Sequence, residues 1–168
     1  MVSIPSEGGV ERSLLSWLDG VGWETHGQDG GRGANVLDEA YERDSHEVMY
    51  WNLLAERVVE INEDVTEDNV ETFISSLRRE LDTDNLVDGN QDFYQLLTKG
   101  KTFSIQRQDG SSETIYVDLI DYENPENNRY HAVNQFSVSR ETTIRPDVNL
   151  FVNGIPLVTM ELKSLTQD

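Results

Sequence analysis

The sequence contains no cysteine and no long apolar run, and each absence excludes several classes of protein. Without cysteine there is no disulfide, no thiol nucleophile and no cysteine-ligated zinc or iron–sulfur centre. A membrane-spanning helix needs about 20 consecutive, mostly apolar residues, and no stretch of that kind occurs. The N-terminus shows no secretory signal. We therefore expect a cytoplasmic protein that does not bind membranes.

Basic residues are also scarce, lysine above all. Lysine and arginine together number 13 against 32 aspartates and glutamates, which gives a formal net charge of −19. Only Lys99, Lys101 and Lys163 are lysines. Acid-rich, lysine-poor surfaces suit a cytosol at molar salt, where the Debye length is about 3 Å and self-repulsion is screened. The composition predicts a halophilic source; the alternative is an ordinary acidic protein with a chance shortage of lysine.

This charge leads to a prediction about stability. The melting temperature of the chain should rise when KCl is increased from low to molar concentration, because salt screens the repulsion among the excess carboxylates. Thermal unfolding followed by circular dichroism measures it. A melting temperature that stays flat or falls as KCl rises would remove the main support for the halophilic source.

Hydrophobic periodicity divides the chain into a helical part over 10–97 and a sheet-rich part over 101–163. We expect a single domain over 1–168 with an α/β (α+β) fold, in which helices flank a mixed central sheet. The segment 26–35 is predicted to be a glycine-rich loop. The predicted helices cover 10–19, 45–62, a segment capped by Thr66 and ending near Leu81, and 92–97. The predicted strands cover 102–107, 113–120, 130–138, 143–152 and 157–163.

Candidate catalytic residues lie near the C-terminal end of the sequence. Thirteen residues separate Asp147 from Glu161, and Lys163 follows two positions later. Asn153-Gly154 predicts a tight hairpin turn between two strands that read as buried, which would bring Asp147 back beside Glu161 and Lys163. Two carboxylates and one lysine so placed can hold a divalent metal beside an activated water. On spacing alone, a strand-entry aspartate and an exposed Glu161–Lys163 pair are the commoner explanation.

The sequence around these residues resembles that of a known protein family. The stretch 118–163 is similar to the PD-(D/E)xK nucleases and, more closely, to the N-terminal domain of the restriction (motor) subunit of type I restriction-modification enzymes. Near the N-terminus, the opening helix of that domain is resembled by Glu11, Trp17-Leu18 and Gly22-Trp23-Glu24, so the resemblance covers most of the chain and is strongest over 118–163. The matching motifs are Asn134-Gln135-Phe136, Arg145-Pro146-Asp147, Phe151 to Leu157 and Glu161-Leu162-Lys163, preceded by Asp121-Tyr122-Glu123-Asn124-Pro125.

The resemblance implies a PD-(D/E)xK core and a Mg²⁺-dependent DNA endonuclease, with Asp147, Glu161 and Lys163 as the catalytic residues. It also implies that this chain is a fragment of a longer subunit truncated within the nuclease fold. That subunit would use ATP in separate motor domains to translocate DNA, and would assemble with modification (M) and specificity (S) subunits. Two alternatives are a freestanding PD-(D/E)xK repair or junction nuclease and an inactive docking domain.

Three further residues are candidates with two interpretations each. Glu11 lies on a helical stripe with Leu15 and Leu18, where a carboxylate either binds the metal or sits in water at the edge of the stripe. Gln135 would contact a water or phosphate, or bridge strands through its amide. Arg145 would contact phosphate, or pair with one of the many acids.

Other patterns predict no site. Gly100-Lys101-Thr102 lacks the first glycine of a phosphate-binding loop, because position 95 is Gln95. The histidines at 26, 46 and 131 do not have zinc-ligand spacing. The negative charge argues against an autonomous DNA-binding module, since nucleic-acid binders usually carry a basic surface. It argues less against a nuclease delivered to DNA by other subunits.

Overall fold

The computed structural model describes residues 6–27, 33–82, 86–106 and 109–163, with the side chains of 86–88 excluded. The chain forms two compact units, one from 1–52 together with 129–168 and the other from 53–128. Both parallel and antiparallel strand pairs occur beside the helices, which confirms the predicted α/β class with a mixed sheet. Within the described ranges, no helix combines the length and the apolar character needed to cross a membrane.

Five helices and eight strands are present in the described ranges, together with a short 3₁₀ helix at Pro125–Asn127. The helices are α1 Glu7–Gly20, α2 Gly33–Ala40, α3 Trp51–Ile61, α4 Glu67–Leu81 and α5 Leu86–Lys99. The strands are β1 Glu24–His26, β2 Lys101–Gln106, β3 Ser112–Val117, β4 Tyr130–Asn134, β5 Val138–Ser139, β6 Thr143–Ile144, β7 Val148–Val152 and β8 Ile155–Met160.

The first unit contains a four-stranded sheet in the order β1-β4-β7-β8. Strand β1 runs parallel to β4, and the other two pairs are antiparallel. The turn between β7 and β8 has positive φ at Asn153 (51°) and Gly154 (82°), as a two-residue type I′ hairpin requires. The buried Asn153 side chain also accepts a hydrogen bond from the Arg129 N–H at 2.8 Å. The predicted hairpin is therefore confirmed, and the residue just before β4 holds its tip in place.

Side-chain alternation gives the sheet two different faces. On one face, Leu15 and Leu18 of α1 pack against Ala132, Val148 and Leu150. This apolar contact fixes α1 on the sheet and determines where its polar residues lie.

The opposite face carries the neighbours of these strand residues. Phe151 is fully buried there, and its ring centroid lies 5.0 Å from those of Tyr50 and Phe136. His131 pairs with Phe151 in the β4–β7 register, so it lies on the same face. Aromatic rings surround Phe151 on this face, which also carries the imidazole of His131.

The second unit contains α4, α5, most of α3 and the β2–β3 hairpin. The helix α4 begins after Thr66, as predicted, and the Asn69 side chain accepts a hydrogen bond from the Thr66 N–H at 3.0 Å. Phe73 of α4 packs edge-to-face on Phe103 of β2, with ring centroids 5.3 Å apart.

Several predicted boundaries are wrong for local reasons. The helix predicted over 45–62 begins at Trp51, because Arg43 donates a 2.5 Å hydrogen bond to the Glu47 carbonyl and holds the preceding residues in turns. The strand predicted over 130–138 ends at Asn134, because Gln135 has φ 55°. The strand predicted over 143–152 is split into β6 and β7 around Pro146, which lacks a backbone N–H.

The sequence pattern predicted neither strand β1 nor helix α2, and it gave wrong lengths for helix α5 and strand β8. Strand β1 and helix α2 overlap the segment predicted to be a loop over 26–35, of which 28–32 lies outside the described residues. The helix predicted over 92–97 extends from Leu86 to Lys99. Strand β8 ends at Met160 rather than Lys163, and its Leu157 and Val158 are exposed rather than buried. As the last strand in the sheet order, β8 offers its side chains fewer covering neighbours.

Candidate active site

Asp147 lies at the open end of the β7–β8 hairpin. Its backbone N–H donates to the Met160 carbonyl at 3.1 Å, which continues the β7–β8 pairing by one residue. Its carboxylate oxygen Oδ2 accepts a hydrogen bond from the Leu162 N–H at 2.5 Å. Leu162 is the residue between Glu161 and Lys163, so Asp147 is bonded directly to the segment that carries both.

Glu161 and Lys163 follow the last residue of β8 and are exposed. Lys163 Nζ donates to Glu161 Oε1 at 3.1 Å, so the two side chains share one side of the segment. The hydrogen bond to Glu161, followed by the negative charges of Glu161 and other nearby acids, raises the pKa of Lys163 above its usual range. Lys163 is therefore fully cationic at neutral pH.

Glu11 reaches this region from α1. Its Oε1 accepts a hydrogen bond from Asn134 Nδ2 at 2.8 Å, and its Oε2 lies 3.3 Å from Gln135 Nε2. The Gln135 backbone N–H donates to the Asp147 carbonyl at 3.0 Å. A continuous series of hydrogen bonds therefore connects Glu11, through Gln135 and Asp147, to Leu162.

Asn134 is a residue to which the sequence reasoning assigned no role of its own. It is 2% exposed, and its Oδ1 accepts a 2.6 Å hydrogen bond from the N–H of Gly33, the first residue of α2. A Cβ atom at Gly33 would lie 2.2 Å from the His26 carbonyl oxygen, so only glycine allows this approach. A buried amide that joins α1, β4 and α2 has no sequence signature, because it depends on three separate segments.

The other two substrate-binding candidates occupy different environments. Gln135 adopts φ 55°, a left-handed conformation that is uncommon for residues other than glycine and concentrates at functional sites. Arg145 is exposed on the segment that leads into Asp147. Among the residues that the structure describes, no acid lies within ion-pair distance of Arg145.

The donor chemistry of this site suits a hard cation. Asp147, Glu161 and Glu11 offer only carboxylate oxygens, the ligand type that Mg²⁺ prefers, and each carboxylate has lone pairs beyond those used in the hydrogen bonds described. The roles of these residues stay a prediction.

A second cluster lies on the other face of the sheet, at the β1–β4 pair. His26 Nε2 is 3.1 Å from His131 Nδ1, and His131 Nδ1 is 3.7 Å from Glu24 Oε2. Burial lowers the pKa of both histidines, that of His131 to about 4, so both are neutral at pH 7. The spacing test for zinc ligands missed this cluster because parallel pairing unites histidines 105 residues apart.

Comparison with known proteins places the chain in a family. The family model described as "Type I restriction enzyme R protein N terminus" matches residues 4–168. The chain is 36% identical over 163 residues to the type I restriction enzyme HindI endonuclease subunit of Haemophilus influenzae, covering 95% of this chain and 15% of that protein. It is 27% identical over 160 residues to the putative type I restriction enzyme MjaIXP endonuclease subunit of Methanocaldococcus jannaschii, covering 92% and 15%.

A shorter match has a higher identity. The chain is 40% identical over 57 residues to the type I restriction enzyme SauCOLORF180P endonuclease subunit of Staphylococcus aureus, which covers 34% of this chain and 6% of that protein. The first two relatives match almost the whole of this chain, and the chain spans about 15% of the length of each. Because the family model matches nearly every residue, the chain belongs to the family of type I restriction enzyme R protein N-terminal domains.

Proposed function

We propose that this chain is a DNA endonuclease domain that hydrolyses phosphodiester bonds with Mg²⁺, using Asp147, Glu161 and Lys163. The observation that carries the proposal is the hydrogen bond from the Leu162 N–H to the Asp147 carboxylate. It ties one carboxylate to the segment that presents a second carboxylate and a lysine. A hydrolytic metal site needs these three groups close together, on a framework that does not shift.

Asp147 and Glu161 would hold the metal, and Glu11 would be a further ligand or fix the position of Gln135. When bound, Mg²⁺ polarises a phosphoryl oxygen and lowers the pKa of a coordinated water. The amide groups of Asn134 and Gln135 contact the Glu11 carboxylate, which keeps further lone pairs that could bind a metal ion. The same contacts orient the carboxylate toward the strand end that carries Asp147.

The role of Lys163 follows from its charge. Its raised pKa keeps it protonated at neutral pH, so it is suited to stabilise negative charge that develops on the phosphate rather than to remove a proton from water. In the site as described, Lys163 bonds Glu161. With the Glu161 carboxylate holding a cation, Lys163 would be free to contact a phosphate oxygen. Arg145, exposed near Asp147, and Gln135 are the candidates for a second phosphate contact.

For the whole protein, we propose a type I R subunit that cuts foreign DNA, translocates DNA with ATP bound in separate motor domains, and acts with modification and specificity subunits in the cytoplasm. The support is the family membership and the names of the relatives, which are endonuclease subunits. The strong negative charge of this chain fits a domain that other subunits bring to DNA.

An assay of the chain by itself separates this proposal from a freestanding nuclease. We expect supercoiled plasmid incubated with the chain and Mg²⁺ to be nicked little or not at all, because a net charge of −19 opposes encounter with phosphate. The R subunit that contains this domain, assembled with its companion subunits and supplied with ATP and Mg²⁺, should cut the same plasmid.

The outcomes divide cleanly. Robust nicking by the chain alone, lost on Asp147→Asn, would favour the freestanding alternative. If the assembled enzyme also fails to cut in Mg²⁺ while it still hydrolyses ATP, the domain is an inactive docking module and the nuclease proposal fails.

A further inference from the structure

Glu24, His26 and His131 form a cluster of ligand-type side chains to which the proposed reaction gives no role. One ligand atom from each lies within 4.8 Å of the others. The arrangement follows from parallel pairing, in which Glu24 of β1 is registered with His131 of β4. His26 is two residues after Glu24, so both project from the same face of β1. Local strand geometry alone therefore places the three side chains together.

The distances between donor atoms fit one shared metal ion. In a tetrahedral zinc site with bonds of roughly 2.0–2.1 Å, neighbouring ligand atoms lie about 3.4 Å apart. His26 Nε2 to His131 Nδ1 measures 3.1 Å, and His131 Nδ1 to Glu24 Oε2 measures 3.7 Å. The two distances lie on either side of the ideal value, so small side-chain rotations would complete the geometry.

The donor set favours a transition metal over Mg²⁺. Two imidazoles and one carboxylate are a ligand set used by zinc, with a water in the fourth position, whereas Mg²⁺ selects oxygen ligands. Glu24 offers Oε2 to the cluster while its Oε1 lies 3.4 Å from Arg129 Nη1. The guanidinium would orient the carboxylate from the far side, as groups outside a metal's ligands often do.

Hydrogen bonding by itself does not account for the burial of His131. This residue is 2% exposed, and among the residues that the structure describes its Nε2 has no hydrogen-bond partner. A histidine pair joined by one hydrogen bond therefore leaves a buried polar nitrogen uncompensated, which costs free energy. The free energy of a metal–imidazole bond at Nδ1 would offset this cost, although Nε2 itself would stay without a partner.

The cluster is also separate from the carboxylate site. Asn134, which bonds Glu11, is three residues from His131 on the same strand and points to the α1 face. His131 points to the opposite face, where its ring centroid lies 6.4 Å from that of Tyr41. Glu24 has an exposed side chain, which gives an ion access to the cluster from solvent.

We propose that Glu24, His26 and His131 bind one divalent transition-metal ion of the zinc class. The ion ties β1, a strand of three residues, to β4 in the middle of the sheet. Because Gly33 at the start of α2 packs on the His26 carbonyl, fixing β1 also fixes the position of Asn134 against Glu11. The ion would thus support the candidate active site from the opposite face without taking part in its chemistry.

Cobalt and zinc titrations of the chain, stripped of metal with a chelator and kept free of DNA, test this proposal. Co²⁺ should give a visible absorption band that saturates at one equivalent, and Zn²⁺ should displace it in the presence of excess Mg²⁺. Glu24→Gln and His26→Ala should each weaken binding by about 10- to 100-fold or more. The matched control is His46→Ala, which removes the exposed histidine outside the cluster and should leave affinity unchanged.

A second measurement uses the wild-type chain alone, so it does not depend on whether a variant folds. Nitrogen-15 spectra of the imidazoles should show His26 Nε2 and His131 Nδ1 shifting on zinc addition, while the His46 nitrogens do not. No saturable cobalt band, equal loss of affinity in the His46 control, or unmoved His26 and His131 signals would each overturn the proposal. All readouts are independent of DNA cleavage, so failure here leaves the nuclease proposal untouched.

Discussion

Asp147→Asn in the complete R subunit should reduce DNA cleavage by on the order of 10³-fold. The substitution keeps an oxygen that can accept from the Leu162 N–H, so the hairpin geometry is preserved while the negative charge is lost. ATP hydrolysis should continue, because the proposed motor lies in a different part of the subunit. Plasmid cleavage and phosphate release measured in the same reaction give both rates.

The control is Glu141→Gln, an exposed carboxylate six residues upstream, which removes the same charge without touching the site. Lys163→Met, which keeps the length of the side chain and removes its charge, should behave as Asp147→Asn does. An Asp147→Asn enzyme that cuts at the normal rate would refute the assignment of the site. Equal losses in Glu141→Gln would show that overall charge, rather than position, matters.

The second large effect is on stability: Phe151→Ala should lower the free energy of unfolding by about 3–5 kcal/mol. Phe151 is fully buried on β7 against the rings of Tyr50 and Phe136, and its removal leaves a cavity in a closely packed aromatic cluster. Urea unfolding of the chain, compared at one KCl concentration, measures the change.

Two further variants serve as controls for this measurement. Trp17→Ala removes a larger aromatic side chain that is 63% exposed, and should change stability by no more than about 0.5 kcal/mol. Phe151→Leu keeps most of the volume and should cost less than Phe151→Ala. If Phe151→Ala unfolds at the same urea concentration as Trp17→Ala, the face of the sheet opposite α1 is not part of the core.

Local sequence determined the elements whose rules are local. Asn153-Gly154 predicted the hairpin because a type I′ turn needs positive φ at both positions, and the structure has them. Thr66 predicted the start of α4 because a capping residue acts within its own turn. Glu161 and Lys163 are two residues apart, a spacing that puts side chains of an extended segment on one side, and they share that side even though β8 ends before them.

Boundaries failed where a distant group changed the backbone. Gln135, the residue after β4, adopts a left-handed backbone conformation and donates hydrogen bonds to Asp147 and Glu11. No pattern in the sequence of 130–138 predicts that conformation. The glycine-rich segment was predicted to be a loop, yet β1 forms beside it because β4 supplies a parallel partner more than a hundred residues later. Parallel pairing has no turn signal, since the strands it joins are far apart in sequence.

The composition and the sequence motifs thus indicated the family and the acidic character. They also supplied the three candidate site residues, whose roles stay a prediction. Only the tertiary structure decided that Glu11, 123 residues before Asn134, reaches that site, because the packing of Leu15 and Leu18 sets the rotation of α1. It also decided that His26 and His131 meet. Both results depend on which faces of a helix and a sheet come together, and that is fixed by packing over the whole unit rather than by any local run of residues.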